Sequence, residues 1–305
     1  MGKIYKSIIL TIFLTKNRRL FMNTFLLKKE VDWSLLRQGL TIPAQYQPLW
    51  QNLPGGRVNK GEKRPVKFFI DGKMYEGASI INQSFDETKY AGHSDVFQIR
   101  YNETSDVAKK LRQKFVSSYQ YISNKRAALG GKAKGGIKIP AEFKEYLIFY
   151  ASVQPDVFVL DCQLADETKD IKQAMQGITE AEFESPAIED ILSKHDSTAS
   201  LTTVKKLQKV RKLDRSIGDS LKKLYDYRCQ MTGEVIGADQ GVHVVEAHHI
   251  NPFVTSLDND ADNQMILSPS YHRIVHQAKP KFDRKTLAFI FPNGLVEKVK
   301  VNLHL

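Results

Sequence analysis

The chain has 305 residues, 42% hydrophobic and 26% charged, which excludes a disordered or fibrous protein and leaves room for two hydrophobic cores. Forty-five Lys and Arg against 34 Asp and Glu give a net charge of +11, the sign expected when the partner is a polyanion. Cys162 and Cys229 cannot make a disulfide framework or a four-thiolate zinc site, so a reducing compartment, by default the cytoplasm, is expected.

At the start, Lys3 and Lys6 precede an apolar run from Ile8 to Leu14. The run is far shorter than the ~20 residues of a membrane span. It is followed by Lys16, Arg18 and Arg19 rather than a small-residue cleavage site, so neither secretion nor a membrane partner is expected. Met22 can serve as the initiator, leaving the opening residues as an extension. Charge then divides the chain: residues 21–150 hold 21 basic and 12 acidic groups, 151–200 hold 3 and 11, and 201–305 hold 16 and 11. The expected organisation is an extension over 1–30, a recognition domain over 31–162, an acidic linker or lid over 163–200, and a second basic domain over 201–305.

The fold class expected is α+β, with a β-rich N-terminal module carrying one helix. Val66–Ile70 and Lys73–Ile81, joined by Asp71-Gly72, spell a hairpin, because Asp-Gly suits the tight turn that matches strand twist. Asp95–Tyr101, Tyr146–Ala151 and Val157–Leu160 add strands, the last two turned by Gln154-Pro155-Asp156. From the N-cap Ser105, Val107, Leu111, Phe115 and Tyr119 recur every fourth residue, which predicts a helix ending before Gly130. Arg57, Lys60, Lys63, Arg64 and Lys67 cluster before the hairpin, and Lys132 and Lys134 sit in a glycine-rich loop that can follow a phosphate backbone. Arg100, on a strand, is the type of side chain that reads a base edge. Each of these also fits an ordinary solvated surface.

Further along, Val204–Lys223 carries eight basic and two acidic residues around an apolar stripe of Leu207, Val210, Leu213, Ile217 and Leu221. Its positive face, with Lys209, Arg211 and Lys212, suits contact with a phosphate backbone or a solvated surface. Five of the eight histidines, His243, His248, His249, His272 and His276, then fall within 34 residues. His243–Ile250 alternates like a strand, Asn251-Pro252 ends it, and a helix from Pro269 or Ser270 puts His272 and His276 four apart on one face. One strand-borne and two helix-borne imidazoles can hold a metal ion with positions left open for water and substrate. Glu246 shares a strand face with His248, as a partner or an extra ligand. Arg273 is a phosphate contact or an ordinary exposed residue.

Ala247-His248-His249-Ile250, Asp262-Asn263-Gln264-Met265-Ile266-Leu267 and Tyr271-His272-Arg273-Ile274-Val275-His276, led by Tyr227–Gly233, resemble the His-Asn-His signature of HNH endonucleases, restriction-type members included. The resemblance covers residues 205–285 and implies a ββα-metal nuclease domain within 201–305. It also implies His249 as general base, Asn263 orienting it, and His248, His272 and His276 as metal residues, with Mg²⁺ or Mn²⁺ bound and Zn²⁺ or Ni²⁺ as options. The partner implied is double-stranded DNA, and a double-strand break by single centres calls for a homodimer. A DNA-binding protein with a structural zinc, and a nicking or homing nuclease, are the competing readings. Many relatives brace this finger with Cys-x-x-Cys knuckles. Here Cys229 has no second thiol nearby, so apolar packing from a terminal hairpin, Leu287–Phe291 with Leu295–Val301, is expected to replace them.

Overall fold

A computed structural model describes residues 24–84, 96–130, 136–185 and 201–305. The chain is mixed α+β and forms two compact units, one from residues up to 42 with 50–139 and 145–162, the other from 43–49, 140–144 and 163–305. No helix among the described residues is long and apolar enough to cross a membrane.

The first unit is built on strands β1 (Thr24–Glu30), β2 (Gly39–Thr41), β3 (Lys63–Ile70), β4 (Lys73–Gln83), β5 (Val96–Tyr101), β6 (Tyr146–Ala151) and β7 (Val157–Gln163). They lie in the order β1-β6-β7-β3-β4-β5-β2, with β3 parallel to β7 and antiparallel to β4. The β3–β4 turn is the expected Asp-Gly one, both residues at positive φ (49° and 81°). Alternation buries Val66, Phe68, Ile70, Ala78, Ile80, Ile99 and Tyr101, and the Phe68 ring packs edge-on to Phe149 at 5.8 Å. Each such large apolar side chain contributes roughly 2 kcal/mol. Gly39 is required where β2 meets β5, since a Cβ there would lie 1.9 Å from the Ile99 carbonyl oxygen.

Two expectations change here. The sheet begins at Thr24, inside the expected extension, because Phe25, Leu26 and Leu27 are buried and β1 pairs antiparallel with β6; residues 1–23 lie outside the described residues. The single expected helix is two, α2 (Asp106–Lys114) and α3 (Val116–Ala128), preceded by a short α1 (Trp33–Arg37). Ser105 caps α2 as expected, accepting from the Ala108 N–H. The break falls at Phe115, whose ring is fully buried while its backbone leaves helical geometry (φ −95°, ψ 59°).

In the second unit, α4 (Ala165–Ala174) and α5 (Glu180–Glu184) precede the long α6 (Leu201–Leu224). Ile171, Met175, Ile178 and Phe183 pack with Leu207 and Val210 of α6 and with Phe253. The acidic segment through Ser185 is therefore packed structure and not a solvated linker, since its four apolar residues close a core that its charges mask in the sequence. Residues 186–200 lie outside the described residues.

Strands β8 (Glu246–His249) and β9 (Gln264–Leu267) pair antiparallel. The loop between them carries α7 (Phe253–Ser256), and α8 (Pro269–Ala278) follows, capped by Ser268 with Pro269 in its first turn. The terminal hairpin is three-stranded, β10 (Lys281–Asp283), β11 (Ala288–Ile290) and β12 (Val296–Lys298). Phe289 and Phe291 join Cys229, Met231, Met265, Leu267 and Val275 in one apolar cluster, so packing does hold the hairpin and helix together. Gln230, fully buried, strengthens the join: its side-chain oxygen accepts from the Ile266 N–H at 2.8 Å and its backbone oxygen from Lys300 and Val301.

Candidate metal centre

Consecutive strand residues face opposite ways, so β8 sends His248 and Glu246 towards α8 and sends His249 and Ala247 towards α6. Both histidines are buried (6% and 4% exposed), yet their surroundings are opposite.

On the His248 side, the i, i+4 spacing of α8 brings His272 Nε2 and His276 Nε2 to 2.9 Å of each other. Glu184, the last residue of α5, places Oε2 3.2 Å from His276 Nε2 and 3.4 Å from His272 Nε2. The His248 ring stands edge-on to both, at 5.1 and 4.9 Å between centroids. One donor atom from each of the four residues lies within 4.8 Å of the others. Donor atoms about 2.1 Å from one ion stand roughly 3.3 Å apart, which the three shorter separations bracket. His248 Nδ1 is buried with no hydrogen-bond partner among the described residues. The donor set thus fits a divalent ion. Glu246 Oε2, 2.5 Å from His272 Nδ1, holds that ring by its other nitrogen, the arrangement that orients metal-binding imidazoles. Burial and then the neighbouring His272 push the His248 pKa down to about 3, keeping it neutral as a ligand must be. Burial opposes ionisation of Glu184, but His272 and His276 overcome it and bring its pKa down to about 2.

On the other side, His249 Nε2 is 2.8 Å from Asp214 Oδ1 and its Nδ1 is 2.8 Å from Glu180 Oε1. Burial disfavours its charge, but the Asp214 and Glu180 carboxylates outweigh that and raise its pKa to about 10. Asp214 is itself fixed by the Gln264 side-chain N–H at 2.7 Å. Gly218, one turn further along α6, permits this approach, since a Cβ there would meet Ala247 Cβ at 2.9 Å.

Asn263 makes no hydrogen bond to the His249 ring. It is wholly buried, and its side chain donates to the Asn251 and Asp258 carbonyls and accepts from the Asn251 N–H, which braces the β8–β9 loop. His243 lies outside β8, exposed and stacked on Tyr227 at 4.4 Å. Among the basic residues, Arg273 is exposed and lines a cavity of about 550 Å³ with Glu184, His272 and His276. Lys212, Arg57, Lys60, Lys63 and Arg100 are exposed, Arg100 donating to Gln98 at 2.7 Å. Three others turn inward. Arg64 is held by the Gly55 and Gly56 carbonyls and by Asp156, Lys209 by Glu167, and Arg211, 8% exposed, by the Ser185 carbonyl at 2.6 Å. Lys132 and Lys134 lie outside the described residues.

The residues missed by sequence reasoning are Asp214, Glu180 and Glu184. Glu180 and Glu184 carry the same i, i+4 signal as the helical histidines, and Asp214 is one of only two acids, with Asp219, on a helix of eight basic residues. Comparison with known protein families, characterised proteins and solved structures returned no match.

Proposed function

We propose that this chain is a metal-dependent phosphodiester hydrolase, and more particularly a DNA endonuclease of the HNH type serving restriction or host defence. The observation that carries the reading is the convergence of His248, His272 and His276 on one face of a β-hairpin that holds His249 on the other. A divalent ion held by the three imidazoles would act as a Lewis acid, neutralising charge that builds on the phosphate and the leaving oxygen. Three nitrogen donors suit Mn²⁺, Zn²⁺ or Ni²⁺ better than Mg²⁺, which prefers oxygen. Between Asp214 and Glu180 the His249 ring is charged, so it becomes a base only after Glu180 leaves and Nδ1 gives its proton to solvent; Asp214 then fixes the ring through Nε2 and Nδ1 takes the proton of the attacking water. A water–phosphorus bond forms, the bond to the 3′ oxygen breaks, and the departing oxygen takes a proton from solvent. Arg273, which lines the same cavity as His272 and His276, is placed to pair with the phosphate.

The exposed Arg57, Lys60, Lys63 and Arg100 of the first unit are assigned to target selection on double-stranded DNA, and two copies of the chain to a double-strand break. The structural-zinc reading also has an observation in its favour: with Glu184 in place the donor set numbers four, as in closed sites. Plasmid cleavage separates the two. The wild type is expected to nick or linearise plasmid with Mn²⁺ and not with EDTA, and His249→Ala is expected to lose at least about a hundredfold in rate. Cutting by His249→Ala at the native rate would remove the general-base assignment.

A further inference from the structure

Helix α5 is only five residues long, too short to persist unaided, yet it is tightly fixed. Thr179 and Glu182 cap it reciprocally, the Phe183 ring (1% exposed) stacks on Phe253 at 4.6 Å, and Glu180 Oε2 accepts the Val254 N–H at 2.9 Å. This anchoring aims its two inward carboxylates at the two sides of the hairpin at once. Glu184 reaches the histidine cluster through Oε2, its Oε1 also lying 4.0 Å from His249 Nδ1, and Glu180 reaches Nδ1 of His249 at 2.8 Å.

Those are the two places that the hydrolysis proposed above has to leave clear. A phosphate diester must approach His272 and His276 with a negative charge spread over two oxygens, which is also what a carboxylate presents. His249 must offer a nitrogen to water, and both of its nitrogens face carboxylates. Resting on the endonuclease reading, we propose that helix α5 is an internal stand-in for the scissile phosphate, with Glu184 in the phosphate position and Glu180 on the base nitrogen, both displaced when DNA enters.

No covalent step is involved, only the exchange of one anion for another. Displacement does not require α5 to unfold. Glu184 ends the helix, its Oε1 has no hydrogen-bond partner among the described residues, and it borders the cavity that Arg273 shares. A side-chain swing of Glu184 therefore vacates the phosphate position while Phe183 stays anchored, and Glu180 leaves Nδ1 by also giving up the Val254 N–H. Asp214, pinned by Gln264, remains on His249 throughout and keeps the ring oriented.

The test reads DNA affinity separately from cutting. Full-length wild type, Glu184→Gln and Glu184→Ser are titrated with a fluorescent 20-base-pair duplex in Ca²⁺ by anisotropy, with plasmid cutting in Mn²⁺ run in parallel. Asp239→Asn, at an exposed carboxylate of the same unit, controls for bulk charge. Both Glu184 variants are expected to bind the duplex about tenfold more tightly than wild type and the control, because a like charge has left the phosphate position. Glu180→Gln is expected to cut faster than wild type. Unchanged duplex affinity in both Glu184 variants, or equal tightening in Asp239→Asn, overturns the stand-in even if the wild type cuts. Tightening confined to the Glu184 variants upholds it even in a chain that cuts nothing, an outcome that would sink the endonuclease reading alone.

Discussion

His248 and His249 are adjacent in sequence and almost equally buried, yet one is driven to a pKa of about 3 and the other to about 10. Burial pushes both downward; the difference comes from what each strand face meets. His248 meets two further imidazoles on α8, which with burial outweigh the Glu184 carboxylate beside them, whereas His249 meets carboxylates from α6 and α5 on both ring nitrogens. The strand's two-residue period thus gives neighbours opposite settings: a neutral imidazole in the histidine cluster on one face, and a carboxylate-held ring on the other. Burial alone settles neither role.

The largest effect expected from breaking this contrast comes from Asp214→Asn. An amide cannot hold the His249 Nε2–H as a carboxylate does, so cutting should fall about a hundredfold while metal affinity is unchanged. Loss of metal binding in parallel with cutting would show that Asp214 supports the whole hairpin and does not act through His249.

A smaller effect sharpens the contrast with a third buried histidine that faces no carboxylate. His304 donates from Nε2 to the Ala261 and Gln264 carbonyls, and its Nδ1 accepts from Tyr225 at 2.6 Å, so the tail is tied to the base of the hairpin. Burial lowers its pKa from 6.5 to about 4, in the direction of His248. Between those values the unfolded chain binds the proton and the folded chain does not. The contribution of His304 is thus complete above pH 6.5 and is lost as pH falls towards 4, on the order of 1 to 2 kcal/mol by pH 5. Melting temperatures followed from pH 7.5 to 5 should fall less steeply for His304→Gln than for the wild type; identical slopes would count against the assignment.

The hairpin, its Asp-Gly turn, the helical histidine pair and the long basic helix were legible in the sequence because each is a local pattern, set by turn chemistry or by the periods of strand and helix. The β1 strand was hidden beneath a nearby apolar run that imitates a leader. The acidic segment read as solvated because Ile171, Met175, Ile178 and Phe183 are outnumbered by the charges around them. At the site, the histidines were legible and their partners were not. Glu180, Glu184 and Asp214 come from helices before β8, β9 and α8, and only tertiary packing joins them to the histidines. Basic residues mislead for a related reason: a count cannot distinguish Arg273, lining the cavity, from Arg211, spent on the Ser185 carbonyl.

Calorimetric titration of Mn²⁺ or Zn²⁺ into wild type, His248→Ala and His249→Ala tests the division between the two faces most directly. His248→Ala is expected to bind the ion at least about tenfold more weakly, and His249→Ala to bind it as the wild type does while failing to cut plasmid. Equal weakening in both variants, or binding that survives in His248→Ala, would contradict it.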